Sequence, residues 1–230
     1  MKPDFWSSFY NQALLPSQKS LLTGVNFENK FGIRELGTAA AAIIIPSGKA
    51  SMGAIFSHSG YRDFRRQTGG LACGLKFSEK ISAGAQIDYF SENYPGTECH
   101  ARIVTAEFGL YLSTSENVMI GLHIFNPVPN SLRKEKLSSA VSAGAGIVLN
   151  RLFFASAEIR LVSDEKPVLA MGAEYEPAKK FRIRGGFRTE NTSFSFGFGY
   201  ESRLFRLDLG FTTHEALGIT SSVSLIFQVR

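Results

Sequence analysis

The chain has 230 residues, 44% of them hydrophobic and 20% charged, with a net charge of +5. That size suits one domain with ample core, and its longest apolar run, Ala39 to Ile45, is far short of the ~18 residues of a membrane-crossing helix. The basic residues are spread through the chain instead of forming a block, which argues against nucleic acid as a partner.

Residues 1–19 come first and are too irregular for a strand, yet they hold Phe5, Trp6, Phe9, Tyr10, Leu14 and Leu15. A segment this apolar should not hang free in water, and one placement for it is a short amphipathic helix at a membrane interface. The opening residues show no apolar signal-peptide core. The expectation is therefore a mature form of an exported chain.

From residue 20 onward, apolar and small polar residues alternate. Ile81-Ser82-Ala83-Gly84-Ala85-Gln86-Ile87-Asp88-Tyr89 is the clearest case. Alternation and turn signals predict about fourteen strands, near 20–28, 33–45, 49–58, 69–78, 80–90, 101–113, 117–125, 138–149, 152–162, 167–176, 180–188, 192–201, 203–213 and 218–229. Connections such as Pro46-Ser47-Gly48, Ser78-Glu79-Lys80 and Glu201-Ser202-Arg203 are tight. The intervening ones include Ser59 to Thr68, Ser91 to His100 and Asn126 to Leu137, which are long and polar. This rhythm matches a transmembrane antiparallel β-barrel over residues 20–230, with short periplasmic turns and longer outer loops. The rival is a soluble β-sandwich, whose polar face would carry Lys, Glu and Thr; here Ser142, Gly144, Gly146, Ser195, Gly197, Gly199, Ser222 and Ser224 fill it. Aromatics near strand ends, among them Tyr89, Phe90, Tyr111, Phe181, Phe187, Tyr200 and Phe211, fit interfacial girdles.

With the apolar register outward, the inner wall carries Lys76, Asp88, Glu107, His123, Glu158, Arg160, Glu174, Arg182, Arg184, Arg188, Arg206 and Asp208. Charges in a narrow lumen must pair or stay hydrated. One reading is a mixed-sign structural lattice, and the other is a polar conduit whose Arg182, Arg184 and Arg188 attract anions. Arginine at Ala85, Phe196 or Val223 should impair insertion, whereas Ser82→Arg at the lumen edge should be tolerated. Cys73 shares the register of Leu71 and Leu75, favouring a free thiol over a disulfide to Cys99. His58, His100, His123 and His214 are scattered, no nucleophile has a positioned base, and no cofactor or metal motif occurs, so an enzyme is not expected. Two basic loop tips stand out, Tyr61, Arg62, Phe64, Arg65 and Arg66, and Arg133, Lys134 and Lys136 after Pro127 and Pro129. They suit contact with lipopolysaccharide phosphates or, through the aromatics of the first, a protein partner.

Asp4-Phe5-Trp6-Ser7-Ser8-Phe9-Tyr10-Asn11-Gln12-Ala13 resembles the D-x-W-S-x-x-x-N-P-A opening of Bacteroidetes outer-membrane barrels of the PorV/PorQ kind, relatives of the FadL transporters, with Gln12 in place of the usual Pro. Gly84 to Tyr89 and the closing His214-Glu215-Ala216-Leu217-Gly218 extend that resemblance along the chain. It implies a fourteen-stranded barrel in the bacterial outer membrane whose residues 1–19 form a plug in or against the lumen, anchored through Asp4, Trp6, Phe9 and Asn11. It also implies a non-enzymatic accessory role beside other outer-membrane or secretion-system proteins of the type IX kind. The alternative is a FadL-like transporter of a small hydrophobic or anionic compound.

Overall fold

The computed structural model describes residues 2–61, 64–93, 100–128, 130–132 and 135–229. In chain order the strands are β1 (Leu21–Asn29), β2 (Gly37–Ser47), β3 (Ala50–Gly60), β4 (Arg65–Lys76), β5 (Ile81–Asn93), β6 (His100–Ser113) and β7 (Val118–Phe125). A small hairpin follows, β8 (Asn130–Leu132) with β9 (Glu135–Leu137). The series resumes with β10 (Ala140–Asn150), β11 (Phe153–Val162), β12 (Val168–Ala178), β13 (Phe181–Arg188), β14 (Ser193–Glu201), β15 (Phe205–His214) and β16 (Gly218–Val229). Apart from β8 and β9, all the strands close in chain order into one antiparallel barrel of fourteen strands, sealed by β1 against β16 with Leu21 opposite Val229.

The alternation dictates which way each side chain points, because successive strand residues face opposite sides. Along β5, Ser82, Gln86, Asp88 and Glu92 are buried inside while Ile81, Ala85, Ile87 and Tyr89 are exposed outside. The outer wall thus presents Leu71, Met171, Phe194, Phe196, Phe198 and Val223, large apolar groups that a soluble sandwich would bury. At the short-turn rim the Phe153 ring meets Tyr175, and beside them Phe181, Tyr200 and Phe205 form a second group of ring contacts, with Phe181 and Tyr200 centroids 5.2 Å apart. That is the aromatic girdle expected where a bilayer meets water.

Three details differ from the sequence expectation. The second strand starts at Gly37 instead of 33, because 3₁₀ turns at Lys30–Gly32 and Arg34–Leu36, with Phe31 at φ 59°, reverse the chain first. Ser59 to Thr68 is not a long loop: β3 and β4 extend to Gly60 and Arg65, and the Tyr61 amide donates to the Phe64 carbonyl at 2.8 Å. The polar, basic residues that looked like loop are strand ends standing above the apolar band. Phe90 and Tyr111 lie on the inner register with Asp88 and Gly109, so they are not girdle residues; the Phe90 ring meets Phe125 edge-on at 6.3 Å.

Candidate functional site

The N-terminal segment lies inside the barrel. One helical turn, α1 (Ser7–Tyr10), gives way at extended Asn11 to a 3₁₀ stretch, Gln12–Ser17. Asn11 makes the corner itself, since its side-chain oxygen accepts from the Ala13 amide at 3.1 Å and caps the second turn. Phe5, Phe9 and Leu15 pack with Ala42, Ile44, Ala72 and Ile226 into the apolar core of the lumen. Each large side chain so buried contributes about 1.5–3 kcal/mol. The wall makes room through glycine. A Cβ on Gly24 would strike the Phe5 ring, one on Gly53 would press on Phe9 and Leu15, and one on Gly84 would strike the backbone of Gln12 and Ala13. Those inner-register glycines are the sequence signal that marks where the segment docks.

Polar anchors complete the seat. The Asp4 carboxylate takes both ends of the Arg206 guanidinium at 2.5 and 2.7 Å, a bidentate fork. Arg206 also donates to Asp208, Asp208 accepts from Arg184, Arg184 donates to Glu174, and Glu174 accepts from Lys2 at 2.5 Å. Six charges alternate in sign, and both ends of the series belong to the N-terminal segment. Burial pushes the Asp4 carboxyl up, but the Arg206 hydrogen bonds and charge, with Arg184 behind them, outweigh it and hold Asp4 below its ordinary value. Trp6 Nε1 donates to Ser224 at 2.6 Å, Asn11 Nδ2 donates to the carbonyls of Leu122 and Leu110, and Ser82 Oγ donates to the Ala13 carbonyl.

The charged residues of the inner register therefore fall into distinct groups. Arg182 forms a separate group, paired with Glu201 and 4.0 Å from Glu176. Asp88 and Glu107 sit apart, in a buried cluster where Gln12 donates to Glu107 at 2.7 Å, Gln86 donates to Asp88 at 2.7 Å, and His123 lies 3.1 Å from Glu107. Lys76 pairs with Glu79 at the short-turn rim. Arg188 lies 3.6 Å from Glu190 at the other rim. Glu158 and Arg160 form no ion pair among the described residues, and both face a cavity of about 450 Å³ in the outer half of the lumen. A second cavity of about 450 Å³ lies lower, beside the N-terminal segment, and touches Lys2, Asp4, Glu174, Arg182 and Arg184.

Of the first loop tip, Tyr61 is exposed, but Arg66 turns inward to pair with the buried Glu92 at the outer mouth. Arg65 is exposed at the β4 end and Phe64 packs beside Gly60. Arg62, Cys99, Arg133, Lys134 and the side chain of Lys136 lie outside the described residues. Cys73 is on the exposed outer face of β4.

No protein-family model matches the sequence, and no curated protein does so either. Solved structures match along nearly its whole length. The Pseudomonas putida toluene transporter TodX superposes with a TM-score of 0.73 at 10% identity, covering 96% of this chain and 93% of that one. The likeness is one of fold. A Pseudomonas aeruginosa FadL homologue gives 0.69 at 10% identity, covering 100% and 95%. The Acinetobacter baumannii outer membrane protein Omp33 gives 0.62 at 11% identity, covering 91% and 98%. These likenesses show the barrel fold that the sequence resemblance implied, and they give no support to its PorV/PorQ branch or to a type IX secretion assignment.

Proposed function

We propose that this protein is a non-enzymatic outer-membrane channel for a small compound, with residues 1–19 seated as a plug in the half of the lumen nearest the periplasm. The observation that carries the reading is the lumen itself: a polar inner wall, a docked N-terminal segment, and two cavities that the segment leaves unfilled. The fold shared with a toluene transporter and a FadL homologue supports it. Short turns conventionally face the periplasm, which puts the plug on that side and the outer cavity toward the exterior. The apolar belt and aromatic rim support residence among outer-membrane lipids, with exposed Arg65 near lipopolysaccharide phosphates. The accessory role in a secretion or surface-assembly complex rests on the opening motif alone. The test is solute uptake by vesicles carrying the purified protein. Uptake above that of empty vesicles is expected, and its absence for every class of small solute would defeat the channel reading.

A further inference from the structure

The N-terminal segment occupies one side of the lumen. Its 3₁₀ stretch packs on β2 to β6, while on the far side Lys2 reaches Glu174 and the Phe154 ring, Asp4 reaches Arg206, Trp6 reaches Ser224, Phe5 packs with Ile226, and Tyr10 interacts electrostatically with Arg160 and Arg188. The two cavities lie against β11 to β13, one above the other. Between them runs a row of register partners across β10 to β14: Gly146, Ser156, Gly172, Gly186 and Ser195. One inner-face step outward come Glu158, Ala170 and Arg188 of the outer cavity. One step the other way come Phe154, Glu174 and Arg184 of the lower one. Such steps are about 7 Å apart along a strand. No side chain larger than a serine hydroxymethyl rises from the wall between the two chambers. A Cβ on Gly172 would meet only Ser156 Oγ at 3.4 Å and the Gly185 carbonyl at 3.7 Å, an ordinary contact, unlike Gly84, whose Cβ would strike the plug backbone.

The chemistry along this wall is hydrophilic and of mixed sign, with Arg160, Glu158 and Glu165 forming no ion pair in the outer chamber among the described residues. In the lower chamber the carboxylates of Asp4, Glu174 and Glu201 already hold Arg or Lys partners. Arg182 Nε makes no hydrogen bond among the described residues but lies 4.0 Å from Glu176. The Arg160 guanidinium, left without an internal ion pair among the described residues, matches a solute carboxylate. The markedly apolar hollow, about 630 Å³ beside Ala145, Ala157, Met171 and Phe187, is lined by outward-facing side chains of the bilayer wall. It offers nothing to cargo in the lumen.

We infer that solute passes beside the seated plug, along the Gly146–Ser195 row from the outer to the lower cavity, and that the solutes suited to it are small hydrophilic carboxylates. This rests on the channel reading and makes displacement of the whole plug unnecessary. The decisive experiment locks the plug in place. A Cβ at Gly109 would lie 3.0 Å from Cγ of Asn11, so Asn11→Cys with Gly109→Cys, in a Cys73→Ser/Cys99→Ser background, puts two thiols within bridging reach. Vesicles carrying this protein are offered succinate, a neutral hexose or toluene, before and after reduction. Succinate uptake should be equal in both states. In separate variants Gly172→Phe and Ser156→Phe, each checked for barrel folding by heat-dependent gel migration, it should fall to the level of empty vesicles. Arg160→Glu should slow succinate relative to the hexose. Passage of succinate only after reduction, unaltered passage through folded Gly172→Phe and Ser156→Phe, or passage of toluene alone would overturn the inference. Should neither Phe variant fold, the cross-linked protein decides by itself. Failure of the wild-type protein to pass any of the three probes would instead defeat the channel reading beneath it.

Discussion

At the residue scale, the Asp4–Arg206 fork is the most specific contact between the N-terminal segment and the wall. Asp4→Asn takes away one of the two carboxylates on Arg206 and leaves Asp208 as its partner, so the cost stays below the roughly 3–5 kcal/mol of breaking an isolated buried pair. Asp4→Asn is therefore expected to loosen the segment, read as faster proteolysis within residues 1–19 while the barrel stays resistant. The pH dependence follows from the direction of the shift. Because the folded-state value of Asp4 lies below its ordinary 3.8, its anchoring is fully present above the unfolded value and is lost as pH falls through the lower folded one. Plug protection attributable to Asp4 should be flat from neutral pH down to the ordinary carboxylate range and weaken only beneath it. A proteolysis profile in which the wild-type advantage over Asp4→Asn vanished near neutrality would contradict this assignment. Gly84 offers a steric counterpart. Gly84→Val drives two methyl groups into the backbone of Gln12 and Ala13, whereas Gly185→Ala meets nothing within 4 Å. The first should expose the segment to protease and the second should not.

At the scale of the strand, the outward register is the membrane contact. Ala85, Phe196 and Val223 are all exposed on mid-strand outer positions, so arginine at each should cost about 2–4 kcal/mol of insertion. The measurement is the fraction folded into vesicles, compared with Thr220→Arg on the inner register. Ser82 does not serve as the tolerant control suggested by its position in the sequence. It is buried, and its hydroxyl donates to the Ala13 carbonyl at 2.6 Å, so an arginine there collides with the plug. Equal insertion of the outward and inward variants would remove the basis for the membrane reading. The strand ends carry a different lesson: Arg65 and Arg66 look like loop residues because they are charged, but they are paired backbone at the top of β4, opposite Asn93 and Glu92.

At the scale of the molecule, strand number, inner and outer faces and the short-turn side are all legible in the alternation. Each depends only on a residue's neighbours one or two positions away, and a period of two has one structural meaning. The inward direction of Glu174, Arg184, Arg206 and Asp208 follows from the same parity. Their grouping does not, because partners such as Lys2 and Glu174, or Asp4 and Arg206, are far apart in sequence and meet only when the sheet closes and the N-terminal segment enters it. The same closure separates Asp88 and Glu107 from the arginines and gives them Gln12, Gln86 and His123 instead. An apolar, irregular stretch such as Phe5 to Leu15 is compatible by itself with a membrane interface or a lumen. The wall glycines at 24, 53 and 84 and the paired charges of Lys2 and Asp4 favour the lumen in this fold, through contacts the local sequence cannot express. Local periodicity thus determined the barrel, since it sets which face each side chain takes. Tertiary closure alone decided where the plug sits and which charges it neutralises, because both depend on contacts between distant segments.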